Sequence, residues 1–209
     1  MSKNPVIVAL GATGPDEIPG LKPLESELEI RFVSPDKPLP EIIGGAEILL
    51  GWDFQSNEFQ AAWHNAQALK WIFWGGAGVD SLLFPELVDS DVMLTNCRGV
   101  FDRSMAEYVL GLIISFGKHF PETGRLQAKR EWKHRLSEQL LGKEVLVVGV
   151  GSIGRKIAQV LKAFGLKVSG VGRHHRDDPD FGVIYGGDEL NKRLPSADFV
   201  VVVCPSTAQ

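Results

Sequence analysis

The sequence has little of several features that assign a protein to a special class. Its 209 residues hold only two cysteines, Cys97 and Cys204, which are far apart and lack paired metal-ligand spacing. We expect both to be reduced core residues of a cytoplasmic protein. The longest apolar run, Tyr108 to Phe116, is too short to span a bilayer. The early run Val6 to Leu10 is also too short for the core of a signal peptide, so we expect no membrane partner.

An excess of positive charge is also missing. The formal net charge of −4 gives no overall attraction to nucleic acid or to anionic membranes. The basic segment Lys118 to Arg135 is interrupted by Glu122 and Glu131. We therefore interpret it as a solvated helix with one anchored tryptophan, Trp132, and expect no nucleic-acid partner. The composition that remains, 44% apolar and 23% charged, is ordinary for a globular protein.

The first half of the chain alternates strand and helix signals. A helix is predicted near residues 57–68, and Pro35, Pro38 and Pro40 indicate a loop. The predicted strands cover residues 5–10, 29–33, 46–50, 70–74 and 92–95. Strands separated by helical stretches predict an α/β fold with a parallel, wound sheet.

The most informative stretch begins with an unbroken apolar run, Val145 to Val148, which predicts a strand buried on both faces. The chain then turns through the glycine hexad 149–154. It enters a helix with apolar residues at three- and four-residue steps, which Gly165 ends. A second strand, Val168 to Val171, comes next. Strand, glycine turn, helix and strand form the context in which G-x-G-x-x-G indicates dinucleotide binding.

Each glycine of the hexad has its own predicted task. We expect Gly149 to allow the tight turn, Gly151 to let the backbone approach a pyrophosphate, and Gly154 to let the helix pack on the sheet. The amides of Ser152 and Ile153 would then face an anion at the positive end of the helix dipole. The sequence therefore predicts a nucleotide site.

The tip of the second strand indicates which nucleotide binds. An acid there would accept hydrogen bonds from the ribose of NAD, but this chain has Gly172 followed by Arg173, His174, His175 and Arg176. The arginine fork suits a 2′-phosphate, so we favour NADP, with NAD as the alternative. A solvated basic loop stays open as the other interpretation. The three acids after the loop dilute its charge: Asp177, Asp178 and Asp180.

Two further glycine segments are candidates for anion sites. We discount Gly11 to Gly14 as a nucleotide site because Asp16 and Glu17 would repel phosphate. The segment Gly75 to Asp80 has two interpretations of equal standing. Its amides either approach a small anion such as a carboxylate, or the segment is a sharp turn that needed only positive φ angles.

Ser104 to Glu107 matches a capping box, in which Ser104 caps a backbone amide and Glu107 reaches back. We therefore interpret Glu107 as a cap and not as a catalytic acid. The helix after it, Ala106 to Phe116, is apolar on nearly every side, which predicts burial in a core or against a second subunit. Near the end of the sequence, Phe199 to Cys204 predicts another buried strand.

These motifs, taken in order, resemble the D-isomer-specific 2-hydroxyacid dehydrogenases, especially the glyoxylate and hydroxypyruvate reductase branch. The resemblance covers essentially the whole chain, as an N-terminal two-thirds of the family's length. The matching segments are Lys70 to Ile72, Gly76 to Asp80, Asn96, Gly99, Ala106 to Tyr108, the glycine hexad, Ala197 to Val200 and Pro205.

The resemblance implies a flavodoxin-like substrate domain over residues 1–98 and a Rossmann domain over residues 99–209 that is incomplete at its C-terminus. It implies that the amides of Ala77, Gly78 and Val79 hold a substrate carboxylate, with Asn96 beside them.

For the coenzyme, the resemblance places Met105 near the nicotinamide, and Pro205 and Ser206 beside the adenosine. These residues would join the turn glycines and the loop residues Arg173, His174 and Arg176. The helix from Ala106 to Phe116, with the arm after it, resembles the element that forms the family's homodimer.

The resemblance also implies hydride transfer between nicotinamide and a small 2-oxo or 2-hydroxy acid. That chemistry uses an arginine, a glutamate and a histidine, which the family carries downstream of the strand that ends here at Cys204, so we expect no catalytic residue in this chain. Two interpretations are open, of which we favour the first. The chain is part of a working reductase, or it is a short, inactive nucleotide-binding or dimerising module.

Overall fold

The computed structural model describes residues 4–54 and 56–205, which divide into two compact units. The division falls between Arg98 and Gly99. Each unit is built on its own five-stranded sheet.

The sheet of the first unit is parallel throughout. Its strands are β1 (Val6–Leu10), β2 (Glu29–Phe32), β3 (Ile48–Gly51), β4 (Trp71–Trp74) and β5 (Met93–Asn96). They lie in the order β2-β1-β3-β4-β5. This is the strand order of flavodoxin-like folds, so the predicted wound α/β architecture is confirmed.

Only short helices join these strands. They are α1 (Leu39–Ile42), α2 (Glu58–Ala62) and α3 (Pro85–Val88), with 3₁₀ turns at Pro15–Glu17, Lys22–Ser26, Trp63–Asn65 and Asp80–Leu82. The predicted helix over 57–68 is therefore too long, because it tightens into a 3₁₀ turn after Ala62. The loop predicted at the three prolines is only partly correct, because Pro40 lies in the first turn of α1. The first N–H groups of a helix have no partner within it, so proline is tolerated there.

The sheet of the second unit has a mixed edge. Two helices precede it, α4 (Asp102–Gly117) and α5 (Phe120–Ala128). The rest of the unit comprises β6 (Glu144–Val148), α6 (Ser152–Phe164), β7 (Lys167–Val171), β8 (Arg176–Asp178), β9 (Gly182–Tyr185), α7 (Leu190–Arg193) and β10 (Phe199–Val202), with 3₁₀ turns at Gly187–Glu189 and Leu194–Ser196. The strand order is β10-β6-β7-β9-β8, and β8 alone runs antiparallel, paired with β9. The four parallel strands follow the order 3-2-1-4 of a Rossmann sheet, which is one three-stranded half and the first strand of the other.

The capping box predicted at Ser104 is wrong. Helix α4 begins at Asp102, two residues earlier, because Phe101 already has a helical backbone. Ser104 therefore lies inside the first turn, where its Oγ donates to the carbonyl oxygen of Phe101 at 3.1 Å. Glu107 forms an i,i+4 ion pair with Arg103 instead of reaching back to a cap.

Burial in the second unit is more one-sided than the sequence predicts. Helix α4 buries Ala106, Val109 and Ile113, whereas Phe116 is 65% exposed. The tryptophan predicted to be anchored, Trp132, is 94% exposed. The strand predicted to be buried, β10, is also exposed on one face, with Val202 at 66%.

Beside α4 and β10 an apolar cavity of about 260 Å³ is lined by side chains of both elements. Among the described helices, none has the length and apolar character needed to cross a bilayer.

Candidate functional site

The glycine hexad lies at the carboxyl end of β6, an interior strand of the second sheet. Strand β6 pairs with β7 on one side and with β10 on the other. The chain goes first to the β7 side and later returns to the β10 side, so β6 stands at the point where the winding reverses. In open α/β sheets, ligands bind at the carboxyl ends of the strands at such a point.

The three glycines of the hexad meet different surroundings. Gly149 has φ +108°, and a Cβ there would lie 2.6 Å from the backbone nitrogen of Cys204. A Cβ on Gly154 would lie 2.0 Å from the carbonyl oxygen of Gly149. At Gly151, by contrast, a Cβ would meet no heavy atom within 4 Å. Gly149 and Gly154 are thus required by packing within the unit, while Gly151 leaves open space in front of the turn.

The start of α6 is suited to an anion. Gly151 is the N-cap, with no side-chain cap bond, and the first turn contains no acidic residue. The amide of Arg155 donates to the carbonyl oxygen of Gly151 at 3.0 Å. The first N–H groups of a helix have no partner within it, so the amides of Ser152 and Ile153 stand at the positive end of the helix dipole. The helix is long enough for this effect, since it runs 13 residues to Phe164.

The basic loop after β7 presents some of its side chains to solvent and engages others. Arg173 and His174 are exposed. His175 contacts Glu189, with Nδ1 and Oε2 2.7 Å apart, and this contact together with the amide of Gly186 holds the pKa of Glu189 below its usual range. Arg176 donates from Nη1 to the carbonyl oxygen of His174 at 3.2 Å. Arg173 and His174 are therefore the groups best placed to meet a ligand.

The strand tip itself has no room for a larger residue. A Cβ on Gly172 would lie 2.9 Å from Cγ2 of Val150 and 3.2 Å from Cγ2 of Ile184. An acid in this position would require Val150 to shift. Packing thus supplies a reason for glycine here that local sequence pattern does not reveal.

The aspartates that come after the basic loop were expected to dilute its charge, but two of them bind elsewhere. Asp178 and Asp180 bind Arg155 of α6 and do not face the loop, so the predicted dilution of the loop's charge is wrong for these two residues. Arg155 binds both carboxylate oxygens of Asp178, at 2.9 and 2.8 Å, which lowers the pKa of Asp178 and raises that of Arg155. No local pattern signals this cluster, because 23 residues separate Arg155 from Asp178.

In the first unit, the segment from Gly75 to Asp80 leaves β4 and is tied to the end of β5. Asn96 donates from Nδ2 to the carbonyl oxygen of Ala77 at 2.7 Å, and the amide of Cys97 donates to that of Gly76 at 3.0 Å. Ala77 and Val79 are half-buried and Gly78 is exposed. The glycines of this segment are absent from the positive-φ residues of the described chain, so the interpretation as a positive-φ turn is wrong.

The remaining predicted residues belong to other elements of the chain. Met105 is half-buried in the first turn of α4, and Pro205 is exposed after β10. Ser206 lies outside the described residues. The discounted segment at Gly11 is closed to an anion, because Glu17 accepts hydrogen bonds from both the amide and the hydroxyl of Thr13. Across residues 4–54 and 56–205, no group of three or more metal-binding side chains is assembled.

A sheet of four parallel strands with one antiparallel edge strand, a turn left open by glycine and an acid-free helix start at the winding reversal are together typical of a dinucleotide-binding α/β protein. Residues 110–209 match the family model described as D-isomer specific 2-hydroxyacid dehydrogenase, NAD binding domain. This match and the solved structures below support the D-isomer specific 2-hydroxyacid dehydrogenase family for this chain, as a partial chain. The family resemblance found in the sequence is thereby confirmed, and so is the coarser prediction of a nicotinamide coenzyme.

Three relatives illustrate the match. A solved structure of a D-isomer specific 2-hydroxyacid dehydrogenase family protein from Aeromonas salmonicida has 31% identity and a TM-score of 0.81, over 98% of this chain and 65% of that one. The structure of an NADPH-dependent glyoxylate/hydroxypyruvate reductase from Sinorhizobium meliloti was solved with NADP and sulfate. It has 27% identity and a TM-score of 0.75, over 99% of this chain and 64% of that one. A glyoxylate reductase from Pyrococcus horikoshii is 24% identical over 92% of this chain and 62% of its own length. This chain spans less than two-thirds of each of these relatives.

Proposed function

We propose that this chain is the coenzyme-binding and substrate-binding part of an oxidoreductase that reduces a small 2-oxo acid of the glyoxylate or hydroxypyruvate kind with NADPH. The observation that carries the proposal is the helix start at Gly151, which is open to a ligand and free of acids. In this proposal residues 99–209 bind the coenzyme and residues 1–98 bind the substrate. The named activities of the relatives from Sinorhizobium meliloti and Pyrococcus horikoshii support it.

The turn fits the diphosphate of a nicotinamide coenzyme. The amides of Ser152 and Ile153 bind the diphosphate oxygens, and the missing side chain at Gly151 lets those oxygens approach the backbone. When bound, the nicotinamide supplies the hydride. The residues of this chain bind and orient the coenzyme, with Met105 assigned to the nicotinamide end, and Pro205 and Ser206 to the adenosine end.

The preference for NADP over NAD rests on the basic loop. Arg173 and His174 are exposed at the tip of β7, where a 2′-phosphate carries its negative charge, and Arg176 adds a third basic group. Gly172 leaves the strand tip without the acid that would bind the ribose hydroxyls of NAD. The complex of the Sinorhizobium meliloti reductase with NADP supports this choice.

The substrate carboxylate is assigned to the segment after β4. Asn96 binds the carbonyl oxygen of Ala77, which fixes the segment so that the amides of Ala77, Gly78 and Val79 are available to an anion. We assign no catalytic residue within the described chain. Its described part contributes binding and orientation, and the proton donor for the reduced carbonyl is not among the residues we name.

A second copy of the chain is the proposed partner of α4 and the arm after it. The outward face of this helix carries Tyr108, Leu112 and Phe116, and the arm adds Trp132 and Leu136, all of them exposed. Exposed apolar side chains at i, i+4 and i+8 on one helix face are typical of an interaction site. Sedimentation of the wild type and of Phe116→Glu tests the homodimer, which the charged variant should dissociate. A monomeric wild type would contradict it.

Localisation in the cytoplasm stays a prediction, supported by two free cysteines, Cys97 and Cys204.

Isothermal titration of the 209-residue protein with NADPH and NADH tests the coenzyme proposal. We expect both to bind and NADPH to bind more tightly. Binding of neither coenzyme would contradict the proposed function, and tighter binding of NADH would contradict only the preference. Reduction of glyoxylate and of hydroxypyruvate by the longest natural form of the protein tests the substrate class. Coenzyme binding without any such reduction would favour the inactive nucleotide-binding module.

A further inference from the structure

The side chain of Arg155 joins two segments to which we assign different parts of the coenzyme. Arg155 lies one turn into α6, and its amide is bonded to Gly151 of the glycine turn. Its guanidinium reaches across to Asp178 at the end of β8 and to Asp180 beyond it. We call Arg155, Asp178 and Asp180 the clasp.

The clasp is built as a rigid, well-satisfied group. Asp178 has a side chain only 6% exposed, and besides Arg155 it accepts hydrogen bonds from the amides of Asp180 and Phe181, at 3.0 and 3.3 Å. Gln159, one turn further along α6, donates to the second oxygen of Asp180 at 3.0 Å. Paired donors in a planar fork fix orientation as well as distance. The segment 178–181 is therefore held to the face of α6.

The clasp fixes one end of the basic loop. Strand β8 runs from Arg176 to Asp178 and pairs with β9, so the position of Arg176 follows that of Asp178. The other end of the loop is fixed by β7 and by the bond from the amide of Gly172 to the carbonyl oxygen of Tyr185 at 2.9 Å. The exposed side chains of Arg173 and His174 lie between these two anchors.

We propose that Arg155 is a positioning residue for coenzyme choice, because its clasp on Asp178 and Asp180 holds the basic loop where that loop binds a 2′-phosphate. The proposal rests on the proposed function, since it takes the loop as the 2′-phosphate site. Loss of Arg155 frees the loop at one end. It also leaves the carboxylates of Asp178 and Asp180 without their guanidinium partner. NADH has no 2′-phosphate, so its binding depends on the glycine turn and not on the clasp.

Titration of wild type, Arg155→Met, Arg155→Lys and Lys156→Met with NADPH and NADH tests this proposal. For Arg155→Met we expect the Kd of NADPH to rise about tenfold, as for one weakened charge-assisted hydrogen bond, with the Kd of NADH changed less than about twofold. Arg155→Lys keeps the charge but loses the planar fork, so we expect a rise of about threefold for NADPH alone. Lys156→Met is the matched control. It removes a neighbouring positive charge that bonds only Gln159 among the described contacts, and we expect no change in the ratio of the two Kd values.

Three results would overturn the proposal: equal losses for both coenzymes in Arg155→Met, wild-type NADPH affinity in Arg155→Lys, or a selective loss in Lys156→Met. Thermal unfolding of each variant shows whether it is folded, and if Arg155→Met is not, the lysine variant decides. The test also separates this proposal from the proposed function. If the wild type binds neither coenzyme, both the proposed function and the role of Arg155 are wrong. If the wild type prefers NADPH and Arg155→Met weakens both coenzymes equally, only the role of Arg155 is wrong.

Discussion

Two glycine turns, one in each unit, begin alike and end differently. Each comes after the apolar first strand of its sheet, β1 or β6, and begins with a glycine of positive φ, Gly11 at +92° and Gly149 at +108°. A Cβ on Gly11 would lie 2.3 Å from the backbone of Asp53, and one on Gly149 2.6 Å from that of Cys204. In this respect, glycine serves the same packing purpose in both turns.

The two turns differ in the helix that each one enters. The first turn enters a 3₁₀ helix of three residues, one of which is Glu17. The carboxylate of Glu17 accepts a hydrogen bond from the amide of Thr13, so that amide is not available to a ligand. The second turn enters the 13-residue helix α6, whose first turn has no acid. An anion site thus requires a long helix with unoccupied amides, and glycine alone does not provide one.

The largest effect is expected from an added carboxylate at the two turns. Gly151→Asp and Gly14→Asp place the same charge at positions where a Cβ meets no heavy atom within 4 Å. Since aspartate is a good N-cap, we expect Gly151→Asp to fold normally and yet to lose binding of both coenzymes by about 1,000-fold, through repulsion of the diphosphate. Titration with NADPH measures this, and Gly14→Asp should bind like the wild type. Retained binding in Gly151→Asp would place the diphosphate elsewhere.

The shared packing role of the first glycines predicts a large effect on stability in both units. Gly11→Ala and Gly149→Ala each force an alanine into a left-handed backbone against the segment that follows a neighbouring strand. We expect a loss of about 2–4 kcal/mol in unfolding free energy from strain and overpacking together. Urea denaturation checks this, with Gly111→Ala in α4 as the control that should not destabilise, because its Cβ meets open space. A harmless Gly149→Ala would mean that the turn has another conformation.

A smaller and selective effect is expected at the basic loop. Arg173→Ala should weaken NADPH binding by about 1–3 kcal/mol, the range for a hydrogen bond to a charged group, and barely change NADH binding. Lys22→Ala is the control from the first unit, where Lys22 lies 2.6 Å from Asp16, and it should alter neither coenzyme. Equal losses for both coenzymes in Arg173→Ala would give the loop another role.

The smallest effect concerns acid sensitivity. Arg155 lowers the pKa of Asp178, so the clasp stabilises the second unit above the ordinary aspartate pKa of about 4, and this contribution is lost as pH falls through the lowered value. Asp178→Asn should therefore lower the unfolding free energy at pH 7 by about 1 kcal/mol, since Arg155 is partly solvent-screened. The variant should also show a flatter decline below pH 4.

Glu17→Gln is the counterpart of Asp178→Asn in the first unit. The hydrogen bonds from Thr13 lower the pKa of Glu17, but its carboxylate is exposed and we expect no measurable change in stability. Urea titrations from pH 3 to pH 7 compare the two variants. An acid profile of Asp178→Asn that matches the wild type would show that the clasp adds no stability.

Sequence reasoning predicted the features that depend on local pattern. The strand, glycine turn and helix around Gly151 are indicated by apolar runs and spacing, and Gly165 ends α6 with φ +100°, as a helix stop requires. Features that depend on contacts between distant residues were not predicted. The pairing of β8 with β9, the clasp of Arg155 and the collision that excludes a side chain at Gly172 are all of this kind.

Local pattern also gave wrong predictions for a helix cap and for one tryptophan. The spacing of Ser104 and Glu107 fits a capping box, but the helix had already begun at Asp102, so the serine is interior. Trp132 is apolar and suggested an anchor, yet in the isolated chain it is exposed. In both cases the three-dimensional context, and not the residue type, decides the outcome.

The most direct test of the central claim is an amide NMR titration of the isotopically labelled 209-residue protein with NADPH. The amides of Ser152 and Ile153 should show the largest shift changes, those of Arg173 and His174 smaller ones, and the amide of Thr13 none. Unchanged signals at Ser152 and Ile153 in a protein that binds NADPH would contradict the account.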